Sequence, residues 1–120
     1  MIKKIIEANE ARIAIIHSDE PIIVNAQTAL DLLATVNYDD DSNRIIINKE
    51  AIAEDFFKLS TGLAGEILQK VVNYRKKLAI VGDFSQYKSK PLHDFIYECN
   101  NGRDIFFVNT EQAAIDRLSA

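Results

Sequence analysis

Arg44-Ile45-Ile46-Ile47-Asn48 sets three consecutive isoleucines between polar residues. A strand with one face in water alternates apolar and polar residues, whereas one covered on both faces has no reason to, and β-branched side chains suit the pleated backbone. The run therefore predicts a central strand of a parallel sheet. Two further runs of the same kind follow, Leu78-Ala79-Ile80-Val81 and Ile105-Phe106-Phe107-Val108, each separated from the one before it by a stretch with helical spacing. Alternation of buried strands with amphipathic helices makes the three runs neighbours in one sheet, joined by right-handed crossovers.

Outward from the central run, Asn25 is placed to cap a helix that carries Ala26, Ala29, Leu30, Leu33 and Val36 on one face and ends near Asn37. Before it stand two β-rich runs, Ile2 to Ile6 and Arg12 to His17, with the polar tract Glu7 to Ala11 between them, which reads as an antiparallel hairpin. Asp19-Glu20-Pro21 closes the second, since proline cannot donate to a ladder. Downstream, Lys49 to Lys58 reads as a partly helical connection with Phe56 and Phe57 tucked inward. A helix with Ala64, Ile67, Leu68, Val71 and Arg75 along one face then runs on to finish in Arg75-Lys76-Lys77. After the loop Gly82 to Lys90, Ser89 caps a helix with Pro91 in its first turn and Leu92, Phe95, Ile96 and Cys99 on the buried stripe. Asn109 or Thr110 opens a last short helix with Ala114, Ile115 and Leu118 inward. The expected fold is α/β, an N-terminal β-hairpin followed by three strand-helix repeats, with a mixed, mostly parallel sheet. Residues 1–120 are expected to form one domain.

Composition narrows the functional classes. The formal net charge is −4, and the acidic residues are dispersed except at Asp39-Asp40-Asp41. With no basic stripe to neutralise a phosphate backbone, nucleic acid is not expected as a partner. The three aspartates lack the alternating ligand spacing and the glycine of a calcium loop, so they read as a solvated turn and no metal is expected. The one cysteine, Cys99, has no disulfide partner within the chain and reads as a reduced, buried thiol. No apolar run approaches the roughly 18 residues that span a bilayer, so no membrane association is expected and the cytoplasm is the expected location.

Candidate chemistry gathers at Leu59-Ser60-Thr61-Gly62-Leu63-Ala64-Gly65. A helix starting at Ser60 or Thr61 has a hydroxyl ready to cap its free amides, and those amides with the helix dipole favour an anion or a phosphoryl group. Gly62 and Gly65 are poor helix formers, which suggests that a neighbour or a partner approaches the backbone there. A second candidate is the loop after the Leu78 run, where Asp83, Ser85 and Tyr87 stand at the carboxyl end of a strand, the edge at which open α/β sheets meet ligands and partners. For catalysis one would recruit His93 and Asp94 with Ser85 or Cys99, or His17. No nucleophile elbow, HExxH, P-loop or Gly-x-Gly-x-x-Gly accompanies them, and Cys99 and His93 fall on different faces of their helix. No catalysis and no cofactor are expected.

In element order the chain resembles the STAS domain, the module of bacterial anti-sigma-factor antagonists and of the cytoplasmic end of sulphate transporters. Ser60-Thr61-Gly62-Leu63 is similar to the Asp-Ser-Ser-Gly-Leu motif that opens the corresponding helix, and Phe106 to Ile115 is similar to the family's last strand and helix. Leu59 stands where the motif has its aspartate, and the connection from the central strand is a few residues longer. The resemblance implies that Ser60 takes the place of the phospho-acceptor and Thr61 that of the second hydroxyl. As a whole the chain looks still more like an uncharacterised bacterial family of about this length, known as a domain of unknown function, and that likeness implies no activity. The expected function is a non-catalytic, cytoplasmic, regulatory protein-protein interaction module, switched by phosphorylation at Ser60-Thr61-Gly62. Its partner is a protein, with a homodimer among the options. The alternative is a small-ligand or nucleotide sensor that uses the Ser60–Gly62 helix start and the Gly82–Lys90 loop, which requires those segments to meet at one sheet edge. A small hydrolase or transferase is the least favoured class.

Overall fold

The computed structural model describes residues 1–120. Five strands, β1 (Ile2–Ala8), β2 (Ala11–His17), β3 (Arg44–Asn48), β4 (Lys77–Val81) and β5 (Ile105–Val108), form one sheet in the order β1-β2-β3-β4-β5. β1 is antiparallel to β2, and the other pairs are parallel, with Ile45 beside Leu78 and Leu78 beside Ile105. The three apolar runs are thus adjacent parallel strands, as their composition predicts. Four helices accompany the sheet, α1 (Ala26–Asp40), α2 (Leu63–Asn73), α3 (Lys90–Asn100) and α4 (Glu111–Leu118). No helix is long and apolar enough to cross a membrane.

Successive residues of a strand point to opposite faces, and the two faces here have different covers. Ile45, Ile47, Leu78, Ile80, Ile105 and Phe107 face the larger core with Leu33, Val36, Ile67, Val71 and Leu92 from α1, α2 and α3. Ile13, Ile46, Ala79 and Phe106 face the other way, onto Ala114 and Leu118 of α4. The isoleucines of β3 are at most 2% exposed, and burying each side chain stabilises the fold by roughly 1.5–3 kcal/mol.

Several boundaries differ from the sequence reading. The hairpin strands extend into the polar tract, leaving only Asn9 and Glu10, both at positive φ, as a tight turn matched to strand twist. α1 runs past Asn37 to Asp40, and Asp41 closes it at φ 52, so Asp39 and Asp40 are helical. The cost of carboxylates at a helix C-terminus is offset by Lys3, whose Nζ lies 2.6 Å from Asp40. α2 does not start at Ser60 or Thr61, because those residues belong to a 3-10 turn, Leu59–Thr61, and Gly62 at φ 78 is the N-cap. It also stops at Asn73, and Lys77 joins β4, where its amide bonds Asn43 O at 2.9 Å, in preference to extending the helix. Gly62 is explained by its left-handed backbone, whereas a Cβ at either Gly62 or Gly65 would meet nothing within 4 Å. No neighbour within the chain approaches those glycines. The Cys99 stripe is only partly covered. Leu92 is buried but Phe95, Ile96 and Cys99 are half-buried, because α3 lies over β5 at the edge of the sheet.

Two polar clamps set the register of β2 against β3. At the carboxyl ends, Ser18 N–H donates to Asn48 Oδ1 at 2.9 Å, and Asn48 Nδ2 donates back to Ser18 O at 2.7 Å. At the other ends, the Ser42 hydroxyl, 2% exposed, lies 2.7 Å from Arg12 O and accepts from Arg44 N–H at 3.2 Å. Ser42→Ala should therefore cost about 1–3 kcal/mol in urea unfolding, the penalty for stranded buried polar groups. Burial, and then the neighbouring Glu98 carboxylate, push the Cys99 thiol pKa up. Native-state alkylation of Cys99 should accordingly be measurable but slower than in denaturant, and a rate equal to that of the unfolded chain would contradict the packing of α3.

Candidate functional site

The carboxyl ends of the parallel strands deliver their loops to one edge of the sheet, and the polar side chains found together there come from two of them, the segments after β3 and after β4. Lys49 directly follows β3 and reaches back over the sheet edge, so that its side chain is only 11% exposed. Its stem passes beside Gly82, where a Cβ would lie 2.7 Å from Lys49 Cβ. Any larger residue at Gly82 would push the lysine aside. The ammonium sits 5.5 Å from the ring centroid of Phe57 and 5.2 Å from that of Tyr87, two rings that stack at 5.4 Å and 18°. Glu54 completes the group, with Oε2 3.8 Å from Lys49 Nζ and Oε1 accepting from the Tyr87 hydroxyl at 2.8 Å.

The electrostatics follow from that geometry. Burial alone would lower the Lys49 pKa, but hydrogen bonding with Tyr87 and the charges of Tyr87, Glu54 and Glu50 more than reverse it, and the pKa rises. Lys49 is therefore held as a cation, unsuited to nucleophilic attack. Burial raises the Tyr87 pKa, and Glu54 as hydrogen-bond acceptor adds to the rise against the pull of Lys49. Beneath the pair, Phe57 and Phe84 pack at 6.0 Å and Phe84 meets Phe107 edge-on at 5.4 Å, which anchors the loop to β5.

The six candidates from the sequence divide. Thr61 is structural: its hydroxyl lies 2.8 Å from both Asp55 O and Lys58 O and accepts from Leu63 N–H at 3.2 Å. Gly62 supplies the backbone turn into α2. Ser60 is exposed and caps no helix. Asp83 and Ser85 form a local turn, with Ser85 N–H and hydroxyl donating to Asp83 Oδ1 at 3.0 and 2.6 Å. Those bonds hold the Asp83 pKa below the usual carboxylate value. Tyr87 turns inward to the Lys49 cluster. An open groove of about 470 Å³ brings Ser60 and Leu59 together with Tyr87, Lys88, Ser89 and Pro91, floored by Phe57 and flanked by Glu54 and Lys58. Ser60 and Tyr87 thus share a site, and Asp83, Ser85, Thr61 and Gly62 do not line it.

The residues recruited for catalysis are dispersed. His93 Nε2 lies 2.6 Å from Tyr87 O and so pins the loop, and His17 pairs with Asp19 on the exposed end of β2. No group of three or more His, Cys, Asp and Glu side chains is arranged to hold a metal ion. Lys49 and Glu54 are the site residues that sequence reasoning missed. The available signal was Lys49 directly after a buried strand, with Phe57 and Gly82 as the small and flat surfaces that its stem needs. The Tyr87 component of a phenol absorbance titration, isolated as wild type minus Tyr87→Phe, should lie above pH about 10, the value of free tyrosine. A component at or below that value would mean that the cluster is open to water.

A family model described as a domain of unknown function, DUF4180, matches residues 8–118. No curated protein and no solved structure matches the chain. The matched span takes in every element from the end of β1 to α4, with Lys49, Glu54, Ser60 and Tyr87 all inside it, and the chain belongs to this DUF4180 family.

Proposed function

We propose that the chain is a non-catalytic, cytoplasmic regulatory module of STAS-like type. It binds a protein partner through the groove between Leu59-Ser60 and Tyr87–Pro91, and phosphorylation of Ser60 switches that binding. The observation that carries the reading is the exposed Ser60 side chain on the rim of an open, partly aromatic groove, next to a threonine whose hydroxyl is fully engaged. An open groove with a rigid aromatic floor suits a protein surface better than it suits an enclosed small ligand. The element order, hairpin first and then helices alternating with strands, agrees with the STAS resemblance.

Charge gives the switch its leverage. Glu54, Lys58 and Lys88 are the ionised side chains lining the groove, one negative and two positive, for a net +1. A phosphate on Ser60 adds about −1.5 to −2 and brings the groove to roughly −1, a reversal of sign. A partner complementary to the unmodified groove then meets like charge, and juxtaposed like charges across an interface cost several kcal/mol. The sensor reading keeps one point in its favour, since Ser60 and the Tyr87 loop do meet at one groove.

Ser60→Glu and Ser60→Ala should both melt within about 0.5 kcal/mol of wild type, as exposed substitutions away from caps do. Thr61→Ala should lose about 1 kcal/mol. In quantitative affinity capture from the native host, Ser60→Ala should recover the same proteins as wild type while Ser60→Glu loses at least one of them. Equal recovery by wild type and both Ser60 variants would sink the switch. A melting-temperature rise on addition of a nucleotide, abolished by Tyr87→Ala, would favour the sensor.

A further inference from the structure

β1 is the outermost strand of the sheet, paired only with β2 along its seven residues. Its free edge presents backbone amides and carbonyls to another strand. Met1 and Ile2 are 72% and 69% exposed at its start. The charges along it are polarised, with Lys3 and Lys4 early and Glu7 late, an order that an antiparallel copy of the same strand reverses. We propose that β1 pairs antiparallel with β1 of a second copy about a two-fold axis at Ile5, joining two sheets into one. This surface is independent of the Ser60 groove, and either proposal can fail alone.

The register follows from parity and charge. Residues opposed across a symmetric antiparallel pair must point to the same face, so the axis falls on a residue and pairs odd with odd and even with even. With the axis at Ile5, Lys3 opposes Glu7 of the second copy on both sides of the axis, Ile5 opposes Ile5, Lys4 opposes Ile6 and the exposed Ile2 gains Ala8. With the axis at Lys4, the two Lys4 side chains oppose each other. With the axis at Ile6, Glu7 opposes Ile5 and Lys4 opposes Ala8, and no unlike charges meet. Only the Ile5 register pairs opposite charges directly, the arrangement that stabilises cross-strand pairs.

Neighbouring charges reinforce it. Within one chain Asp40 holds Lys3 at 2.6 Å, and Arg12, opposite Glu7 on β2, lies 3.8 Å from it. Pairing therefore creates a row of alternating sign on the α1 face: Asp40 and Lys3 of one copy, then Glu7 and Arg12 of the other, and the same row again through the axis. A network of this kind contributes more than an isolated surface pair.

Light scattering and sedimentation from about 1 to 500 μM should show a concentration-dependent dimer. Lys3→Glu and Glu7→Lys, each replacing two attractions by two repulsions, should weaken it by roughly tenfold or more, and the double variant should recover most of the loss. Because Lys3→Glu also faces Asp40, thermal melts accompany each variant, and a cysteine pair decides the register if one fails to fold. In a Cys99→Ser background, Ile5→Cys should form an oxidised dimer. Opposed Cα atoms lie about 4.5–5.5 Å apart, inside disulfide range, whereas Lys4→Cys would place its cysteines on a diagonal of about 7–8 Å and should not cross-link. A monomer at every concentration, a dimer indifferent to both charge variants, or stronger cross-linking at position 4 than at position 5 would each overturn the proposal.

Discussion

Strand order that equals chain order is the constraint on which the rest of the structure depends. Each connection from β2 onward steps one strand over in the same direction, so crossovers of one hand deposit α1, α2 and α3 on the same face. The opposite face, with Ile13, Ile15, Ile46, Ala79 and Phe106, is left to α4. Eight residues of helix span about 12 Å, while five strands at about 4.8 Å spacing span about 19 Å. One short helix cannot reach both edges. α4 seals the middle through Ala114 and Leu118, Arg117 extends the cover by lying 4.3 Å over the Phe106 ring, and Val81 and Val108 stay half-open at the rim.

The same topology sorts the charges. The helices that follow β2, β3 and β4 start near the carboxyl edge of the sheet and end near the opposite one, where their C-terminal carbonyls gather. Cations collect there on carbonyls of helix ends and a loop: Arg117 donates to Asn100 O at the end of α3, Arg44 to Leu118 O at the end of α4, and Lys77 to Arg103 O in the loop before β5. These side chains complete hydrogen bonding at helix ends and loops, so the cavity bounded by Lys77, Arg103 and Arg117 reads as the structural underside of the fold. At the carboxyl edge a single partly buried cation, Lys49, is held between two rings and a carboxylate, and the groove opens beside it.

The strands were legible because burial on both faces demands an unbroken apolar run, and Ile45-Ile46-Ile47 and Ile105–Val108 satisfy that with little ambiguity. Boundaries were misread where partners distant in sequence decide them. Lys77 belongs to β4 because Asn43 accepts from its amide, and Asp40 stays helical with Lys3 beside it. Nothing near those residues in the chain records either fact. The candidate site was half visible for a related reason. Ser60 and Tyr87 stand in polar segments flanking strong elements, but Lys49 looks like an ordinary solvated lysine until the stacked rings of Phe57 and Tyr87 are brought over it.

Adjacent hydroxyls in one turn have opposite surroundings here, and the backbone explains why. Thr61 closes the turn: its hydroxyl bonds Asp55 O and Lys58 O and accepts from Leu63 N–H, the first residue of α2, while Gly62 takes the left-handed φ between them. Charge added at Thr61 would break those bonds and unseat the helix start. One residue earlier, the turn carries Ser60 outward to the groove, where it caps nothing. The left-handed glycine also separates the turn from the helix axis, so a change at Ser60 reaches the groove through local charge and does not need to move α2. The proposed switch depends on this separation, with stability on Thr61 and recognition on the neighbouring Ser60.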